Sequence, residues 1–482
     1  MALDELFFAD VHIHPNLKSA YSGYPKPLRS MWEFIDHPVP EGKAARYAYN
    51  HSPNVAKYSQ TNFYALAEGK VRVPTISLYP LEKGFMDIRN LPKLFTNKKS
   101  RVEMMQVVTG NEVSSIEYLR DTNDYFKILQ FEYDYVSSNQ GYSPDKKYHF
   151  KLVNSYRSLT EQLRKPNTLA GVLSIEGAHA LFDEAMLSGK LSPAEMKKKM
   201  AEHIGMIKAW EAHPFSINLC HHFYNHLAGH SRSFWGLVRK GFLNQNEGLG
   251  RGLNGLGIKT MKELLSKNNG PRIHVDIKHM SVKSRKELYN WIRSYNYISN
   301  NDKIPIIASH AGVNGFKTMN ASIATPDHEK KSKNHVFNRW SINLSDEEIR
   351  IIHETGGLIG LMLDKHKLGG EKFHAKIASV TDKHTLKDEY LKIFLDNVFQ
   401  IVHAVGHPSA WDIICIGSDL DGGIEHFEFY DKASTFPQLY MDLIEYLERT
   451  SYQKKLWYGE SAETLIRKVM QTNAMNFYEK HF

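Results

Sequence analysis

Eight short runs of apolar residues recur along the chain. Each has the length and the content of β-branched residues that are typical of a strand buried on both faces, as parallel strands are. The runs are Leu6–Ile13, Val71–Tyr79, Leu169–Ile175, Phe215–Cys220, Ile273–Ile277, Ile304–Ser309, Gly357–Leu363 and Ile413–Ser418. Most of the gaps between them carry apolar residues at helical spacing. The predicted helices are Thr260–Ser266, Lys283–Tyr295, Ser345–Thr355, Leu386–Val405, Pro437–Arg449 and Ser461–Phe477.

Buried strands that alternate with helices are typical of a parallel α/β fold, and eight is the number of strands that closes a barrel. The sequence therefore predicts a (β/α)8 TIM barrel. An open, doubly wound sheet is the structural alternative. Its phosphate-binding fingerprint, G-x-G-x-x-G, is missing after the first predicted strand.

Three spacers between the predicted strands are too long for a minimal barrel. They cover residues 16–70, 80–167 and 311–340, after the first, second and sixth strands. Because the chain shows no internal repeat and no low-complexity tract, we interpret them as insertions in one enlarged barrel domain that spans residues 1–482. Loops of this length are expected at the catalytic face of a barrel.

The composition of the 482 residues excludes several classes of protein. A hydrophobic share of 42% supports a packed core, and no run reaches the ~18 consecutive apolar residues that a membrane helix needs. The N-terminus lacks a basic region and a cleavage site, and the C-terminus lacks a tail for a lipid anchor. Cys220 and Cys415 lie inside apolar runs, which indicates buried thiols and a reducing compartment. We therefore expect a cytoplasmic protein without membrane contact.

The net charge and the histidine content of the chain bear on its binding partners and its chemistry. The net charge of +8 indicates a solvated basic surface, and the acidic residues interleaved with the aromatic ones do not favour nucleic-acid binding. The 25 histidines are the outlier of the composition. Histidine is the commonest metal ligand and the usual acid or base near neutral pH, so the positions of these residues are informative.

The first predicted strand ends in an H-x-H pair, His12 and His14. Alternation along a strand puts both side chains on the same side, facing the barrel axis. At the carboxyl end of a barrel strand, two imidazoles can share one divalent ion. Taken alone, the pair is equally compatible with two histidines of the core.

Ionisable residues close six of the eight apolar runs, all at the same end. Those that follow the later strands include Glu176, His222, His279, His310 and Asp419. Core residues would be scattered along the strands, whereas clustering at the carboxyl ends is typical of a metal centre at the catalytic face. The nitrogen and oxygen ligands suffice for two divalent ions, and without a thiolate Zn²⁺, Mn²⁺ and Fe²⁺ all remain open. Strand alternation also predicts that His221 faces away from His222.

This pattern resembles the amidohydrolase superfamily of metal-dependent hydrolases. Within it, the segment SIEGAHAL is similar to the EGGH segment of the membrane (renal) dipeptidase family, CHHFYN to its T-H-x-x-N, and VDIKHMS to its D-x-S-H. IIASHA is similar to the family's V-I-x-S-H-S, and IGSDLDG to its G-S-D-F-D-G. EGAHA together with GSDLDG is a fairly specific combination, whereas DVHIHP is shared with metal-dependent phosphoesterases and nucleases.

The resemblance implies a role for each matched residue. His12 and His14 would bind a first metal ion, and Glu176 would bridge two ions. His279 and His310 would bind the second ion.

The resemblance also implies the residues that act on the substrate. Asp419 would belong to the metal site and lie beside a metal-bridging hydroxide as proton acceptor and donor. His222 would bind the substrate and polarise the scissile carbonyl.

Two positions depart from the family pattern. The family has H-x-D on the first strand, and His14 in place of the acid leaves the site more positive by one charge, which affects metal preference or substrate. The family also holds the substrate carboxylate with an arginine shortly after the strand-six histidine. The nearest candidate is Arg339, beyond an insertion, and its alternative is an exposed residue of a basic loop.

The leading hypothesis is a binuclear amidohydrolase that cleaves an amide bond in dipeptides or N-acyl amino acids. It would use two divalent metal ions, Zn²⁺ foremost, and the resemblance suggests a homodimer. A metal-dependent phosphoesterase on the same barrel is the second hypothesis, favoured by DVHIHP and the basic loops. A non-catalytic metal-binding barrel is the third.

Overall fold

All eight predicted runs form β-strands in the structure, which is a computed structural model. The structure describes residues 6–37, 39–50, 57–86, 102–103, 105–107, 110–234, 243–299, 301–325, 329–331 and 334–482. Its strands are β1 (Phe8–Ile13), β2 (Val71–Leu78), β3 (Gly141–Tyr142), β4 (His149–Leu152), β5 (Thr168–Ile175), β6 (Ser216–Asn218), β7 (His274–Asp276), β8 (Ile307–Ala311), β9 (Leu358–Leu361) and β10 (Ile414–Ile416). Except in β3 and β4, every strand residue is buried, as continuous apolar runs predict.

The buried strands form one parallel sheet in the order β1-β2-β5-β6-β7-β8-β9-β10. The segment after β10 reaches back to β1, where Asp419 N donates to His12 O over 2.9 Å and His14 N donates to Leu420 O over 3.1 Å. The sheet thus nearly closes on itself. Its order follows the chain, whereas a doubly wound sheet reverses at a switch point. The predicted TIM-barrel architecture is confirmed, and the open sheet is excluded.

Helices occupy the spaces between the strands. They are α1 (Leu17–Ala20), α2 (Lys43–Asn50), α3 (Phe63–Glu68), α4 (Val113–Asp121), α5 (Tyr125–Ser138), α6 (Tyr156–Leu163), α7 (Glu184–Leu187), α8 (Pro193–Lys208), α9 (Gly255–Leu265), α10 (Val282–Ile298), α11 (Met319–Ala324), α12 (Asp346–Glu354), α13 (Lys365–Leu368), α14 (Glu371–Ile377), α15 (Lys383–Val405), α16 (Phe436–Thr450), α17 (Ala462–Arg467) and α18 (Asn473–His481). A π-helical turn, Lys468–Thr472, joins the last two. The six predicted helices are confirmed, with ends displaced by a few residues. Among the helices of the described ranges, none has the length and hydropathy to cross a membrane.

The described part of the second insertion, residues 80–167, contains regular structure. It contains α4, α5, α6 and the hairpin of β3 and β4, and β4 pairs in parallel with the first half of β5. The sequence pattern misses β4 because its residues alternate between buried and half-buried and form no continuous apolar run. That the whole chain is one domain stays a prediction.

A buried carboxylate ties the first two insertions to the barrel. Glu132 of α5 accepts hydrogen bonds from Tyr21 Oη, from Tyr79 N over 2.6 Å and from Asn16 Nδ2 over 3.3 Å. Tyr21 and Asn16 belong to the first insertion, and Tyr79 directly follows β2. Burial raises the pKa of Glu132 to about 7, against the opposing effect of these donors.

The Glu132→Gln variant is expected to lose part of the pH dependence of stability. An acid with a pKa of about 7 when folded and about 4.5 when unfolded binds more protons in the folded state. The free energy of unfolding therefore falls as the pH rises between these values, by on the order of 3 kcal/mol for this group. The glutamine amide can still accept from Tyr79 N and donate to Tyr21 Oη, so the packing is retained.

Urea denaturation of both proteins at pH 4.5 and pH 7 measures this effect. Glu161→Gln, at an exposed ion pair with Arg157, is the matched control and should behave like the wild type. An equal decline of stability with pH in wild type and Glu132→Gln would contradict the prediction.

Candidate metal centre

Seven side chains that were predicted from the strand ends meet at the carboxyl end of the barrel. Each follows a strand directly, lies within its last residues or comes a few residues beyond it, and each is at most 7% exposed. They are His12, His14, Glu176, His222, His279, His310 and Asp419. Their convergence follows from the parallel barrel, in which all strands end on the same face.

Glu176 lies at the centre of this cluster. Its Oε1 atom is 3.2–3.4 Å from four imidazole Nε2 atoms, those of His12, His221, His279 and His310. Its Oε2 atom is 3.2 Å from the Nε2 atom of His14. A carboxylate with nitrogen ligands facing both of its oxygens has the arrangement of a group that bridges cations.

The imidazole nitrogens have the spacing of metal ligands. His12 Nε2 and His14 Nε2 are 3.2 Å apart, and His279 Nε2 and His310 Nε2 are 3.1 Å apart. In a tetrahedral zinc site with bonds of about 2.0–2.1 Å, neighbouring ligand atoms lie about 3.3 Å from each other. The nitrogen pairs therefore fit a shared divalent cation.

The ligand atoms form overlapping groups of three, each with the geometry needed to hold a metal ion. Within each group the ligand atoms lie no more than 4.8 Å apart. Among the described residues these groups are His12–His14–Glu176, Glu176–His279–His310, His12–His310–Asp419 and His221–His222–His279.

Burial and charge set the protonation of the cluster. Burial lowers the pKa of His279 and His310 well below the ordinary value, so both imidazoles are neutral, the form that binds metal. Burial alone would also lower the pKa of His14, but the carboxylates of Asp419 and Glu176 outweigh it and raise that pKa to about 10. Burial raises the pKa of Asp419.

Hydrogen bonds to the other ring nitrogen orient the predicted ligands. His14 Nδ1 donates to the Ser77 carbonyl over 3.1 Å, so Nε2 is the nitrogen that faces the cluster. The Ser309 hydroxyl lies 3.2 Å from His12 Nδ1 and 2.8 Å from His310 Nδ1. Such partners fix ring orientation and tautomer in metal sites.

His222 is held by a separate hydrogen-bond network. Its Nδ1 atom is 2.7 Å from Ser233 Oγ, and that oxygen accepts a hydrogen bond from Gln245 Nε2 over 2.7 Å. The serine proton is therefore available for Nδ1, which leaves the ring proton on Nε2. Burial lowers the pKa of His222 well below its ordinary value, so the imidazole is a neutral donor.

The prediction that His221 faces away from His222 is wrong. Its Nε2 atom is 3.3 Å from Glu176 Oε1, and its ring centre is 3.6 Å from that of His222. Because β6 ends at Asn218, the alternation of a strand does not extend to these residues. Sequence reasoning also missed Glu82, which accepts a hydrogen bond from His221 Nδ1 over 2.8 Å. An acidic residue just beyond the end of β2 is the same signal that identified Glu176 after β5.

Three residues at the strand ends have left-handed backbone conformations. Gly177 has a φ of +93°, and a Cβ atom there would lie 2.4 Å from His179 Nδ1, so the turn after Glu176 requires glycine. His279 and Asp419 have φ values of +68° and +60°, each at a cost of roughly 1–2 kcal/mol. Backbone strain of this kind is concentrated at functional sites.

Two lysines border the cluster, and sequence reasoning missed both. Lys278, which follows β7, is 3% exposed, and in the described part of the chain its Nζ atom has Met362 Sδ, 4.0 Å away, as hydrogen-bond partner. Lys367 donates from Nζ to the Ser233 carbonyl and lies 5.3 Å from the centre of the Trp340 ring. Lys278 stands where the resembled motif D-x-S-H has serine, a departure that could have drawn attention to it.

Arg339 is the one predicted site residue whose described contacts all lie outside the cluster. Its guanidinium is 3.7 Å from the centre of the Phe316 ring, and Nη1 is 3.0 Å from His335 Nε2. Neither of these described neighbours is a candidate metal ligand. A role for Arg339 in binding a substrate carboxylate stays a prediction.

The fold has counterparts among solved structures. The chain is similar to the probable dipeptidase PvdM from Pseudomonas aeruginosa, with 14% identity, a TM-score of 0.50 and coverage of 99% of this chain and 96% of that one. It is also similar to a metallopeptidase from Rhodobacter sphaeroides liganded with a phosphinate mimic of the dipeptide L-Ala-D-Ala, with 13% identity, a TM-score of 0.50 and coverage of 99% and 100%. No protein-family model and no curated protein matches the sequence. At these identities the likeness shows a common fold.

Proposed function

We propose that the protein is a metal-dependent amidohydrolase that cleaves the amide bond of dipeptides or N-acyl amino acids. The observation that carries this proposal is the position of Glu176, whose two oxygens face five imidazole nitrogens at the catalytic end of the barrel. The two similar structures support it, since one is a probable dipeptidase and the other a metallopeptidase holding a dipeptide mimic.

Two divalent cations fit the ligand set, and we assign Zn²⁺ to them with Mn²⁺ and Fe²⁺ as alternatives. His12, His14 and Glu176 would hold the first cation, and Glu176, His279 and His310 the second. When bound, such cations lower the pKa of water towards ~7 and polarise the oxygen of the scissile bond. His14, in place of the acid of an H-x-D pair, leaves this centre more positive by one charge.

Asp419 would move the proton in this reaction. Its Oδ1 atom lies 3.6 Å from His14 Nε2 and 3.9 Å from His12 Nε2, at the edge of the first ligand group. There it can accept a proton from the attacking water and return it to the leaving amine nitrogen. Burial raises the pKa of Asp419 and so brings it closer to the pH at which a general base works best.

His222 would hydrogen-bond the oxygen of the bond that is cleaved. With Ser233 donating to Nδ1, the Nε2 proton of the neutral ring is free to stabilise negative charge on that oxygen. The ring is kept in place by Phe234, whose centre is 4.4 Å away.

We place the binding site for the substrate carboxylate at the loop that carries Arg339 and the short helix α13 that carries Lys367. Lys367 is linked to the cluster because its Nζ donates to the carbonyl of Ser233, whose hydroxyl contacts His222. An ammonium in this position would pair with a carboxylate on the substrate, as would the guanidinium predicted from the sequence.

The substrate is thus a small molecule, and nothing in the proposal requires a nucleic acid or a membrane. Cys220 and Cys415 are free and buried, which supports a reducing compartment such as the cytoplasm. Homodimerisation stays a prediction.

Metal analysis followed by a substrate panel tests the proposed function. The protein is stripped with a chelator, reloaded with Zn²⁺ or Mn²⁺, and assayed on dipeptides, on N-acyl amino acids, on C-terminally amidated dipeptides and on phosphate monoesters. We expect about two cations per chain, no turnover without metal and restored turnover after reloading. Dipeptides with a free carboxylate should react faster than their amidated counterparts.

Other outcomes would select the other hypotheses. Turnover of phosphate monoesters well above that of dipeptides would favour a phosphoesterase on the same barrel. Turnover of no substrate, with fewer than about one cation per chain, would favour a non-catalytic barrel.

A further inference from the structure

We propose that His221 is a further ligand of the second cation and that Glu82 orients it. This inference rests on the proposed metal centre, in which Glu176, His279 and His310 hold that cation. It adds a ligand that the sequence motifs do not supply.

The position of His221 matches that of the two assigned histidines. The Nε2 atoms of His221, His279 and His310 lie 3.3, 3.2 and 3.3 Å from the same oxygen, Glu176 Oε1. His221 also shares a ligand group with His279, and their ring centres are 4.2 Å apart. An imidazole at this distance from the bridging oxygen has the spacing of a neighbouring ligand on one tetrahedral cation, about 3.3 Å.

Glu82 fixes the ring so that the correct nitrogen faces the cluster. Its Oε2 atom accepts from His221 Nδ1 over 2.8 Å, from the His222 amide over 3.2 Å and from Tyr79 Oη over 3.1 Å. Its Oε1 atom accepts from the Phe223 amide over 3.0 Å. With Nδ1 donating to this immobilised carboxylate, Nε2 is the nitrogen that faces Glu176 and would bind a cation there, the carboxylate–histidine–metal arrangement of many metal sites.

A fourth ligand changes the character of the second site. The second cation would be held by three imidazole nitrogens and one carboxylate oxygen, whereas the first would be held by two imidazole nitrogens and the carboxylate of Glu176, with Asp419 beside them. Imidazole-rich sites suit borderline cations such as Co²⁺ and Zn²⁺. We therefore expect the two sites to differ in their affinity for Co²⁺.

Cobalt titration of the full-length, metal-free protein tests this inference. Co²⁺ is added in competition with a chelator while bound cobalt and visible absorption, which reports coordination, are recorded. His221→Gln should weaken one of the two cobalt sites by more than ~100-fold and alter its spectrum, because loss of a supporting hydrogen-bond partner alone costs ~10–100-fold. Glu82→Gln, which keeps the imidazole, should weaken the same site by ~10–100-fold.

His203→Gln is the matched control for the loss of a buried histidine. His203 lies on α8, is 7% exposed and bonds through Nδ1 to the Leu181 carbonyl, so both cobalt affinities should be unchanged. Thermal unfolding of the metal-free proteins checks that each variant folds.

Each result decides between the inference and the proposed function. Wild-type affinity and spectrum in His221→Gln would overturn the role of His221 and leave the metal centre standing. A wild-type protein that binds no cobalt would overturn the metal centre and the proposed function with it. If His221→Gln does not fold, Glu82→Gln decides, and unchanged cobalt affinity there overturns the inference.

Discussion

The Asp419→Asn variant is expected to keep its metal and to lose turnover by ~10²–10⁴-fold, the usual contribution of a general acid–base group. Asparagine has nearly the same size, and its amide oxygen can still face His14, so the ligand group at His12, His14 and Glu176 is disturbed little. What is lost is the ability to accept a proton at Oδ1. Metal content and turnover on the best dipeptide, measured on the same preparation, check the prediction.

Asp412→Asn is the matched control for this variant. Asp412 lies on the surface in an ion pair of 2.8 Å with Lys468, so its replacement should change neither metal content nor turnover. Full activity in Asp419→Asn would show that another group moves the proton. Loss of metal together with activity would show that Asp419 acts chiefly as a ligand.

The parts of the centre that could be predicted from sequence are those fixed by parallel strands. Each strand of the barrel is buried on both faces and therefore appears as an apolar run, and the residue that closes the run lies at the common carboxyl end. Glu176 after β5 and His310 in β8 are far apart in the chain, yet this rule alone places them together. In the structure, Glu176 Oε1 lies 3.3 Å from His310 Nε2, as this rule predicts.

Side chains beyond the last strand residue could not be placed in the same way. Strand alternation predicts that His221 faces away from His222, but its position depends on the loop backbone after β6, which no periodicity describes. The left-handed backbone of His279 is another such feature, because its sequence carries no glycine to mark it.

Two residues beside the cluster, Glu82 and Lys367, could not be predicted from the sequence for a different reason. Glu82 lies in the second insertion, where the strand pattern has ended, and Lys367 lies in the short helix α13 after β9. Both reach the cluster through tertiary contacts between segments distant in the chain. Such contacts depend on packing that short motifs do not encode.

The Glu176→Gln variant is expected to lose bound metal and with it all turnover above the level of the chelated wild type. Among the described residues, Glu176 is the side chain whose two oxygens face both histidine pairs, and its negative charge offsets two dications in a largely buried site. A glutamine keeps the volume but presents an amide N–H group, a hydrogen-bond donor, to nitrogens that need a cation between them. Metal content after dialysis and turnover on dipeptides measure the loss.

Glu132→Gln is the matched control, since it removes another buried carboxylate near the end of β2 without touching a candidate ligand. It should retain about two cations per chain and its turnover.

If Glu176→Gln kept both cations, the carboxylate would not bridge them, and the imidazoles alone would have to hold two dications without a shared counter-charge. His12 Nε2 of the first group and the Nε2 atoms of His279 and His310 lie 3.2–3.4 Å from the same Glu176 oxygen, so the two dications would lie close together, and their repulsion is costly unless each has its own acidic ligand. Asp419 is the other acidic side chain in the described ligand groups, and it lies beside the first pair. The second cation therefore depends on Glu176 for its charge balance, and it should be the first to leave.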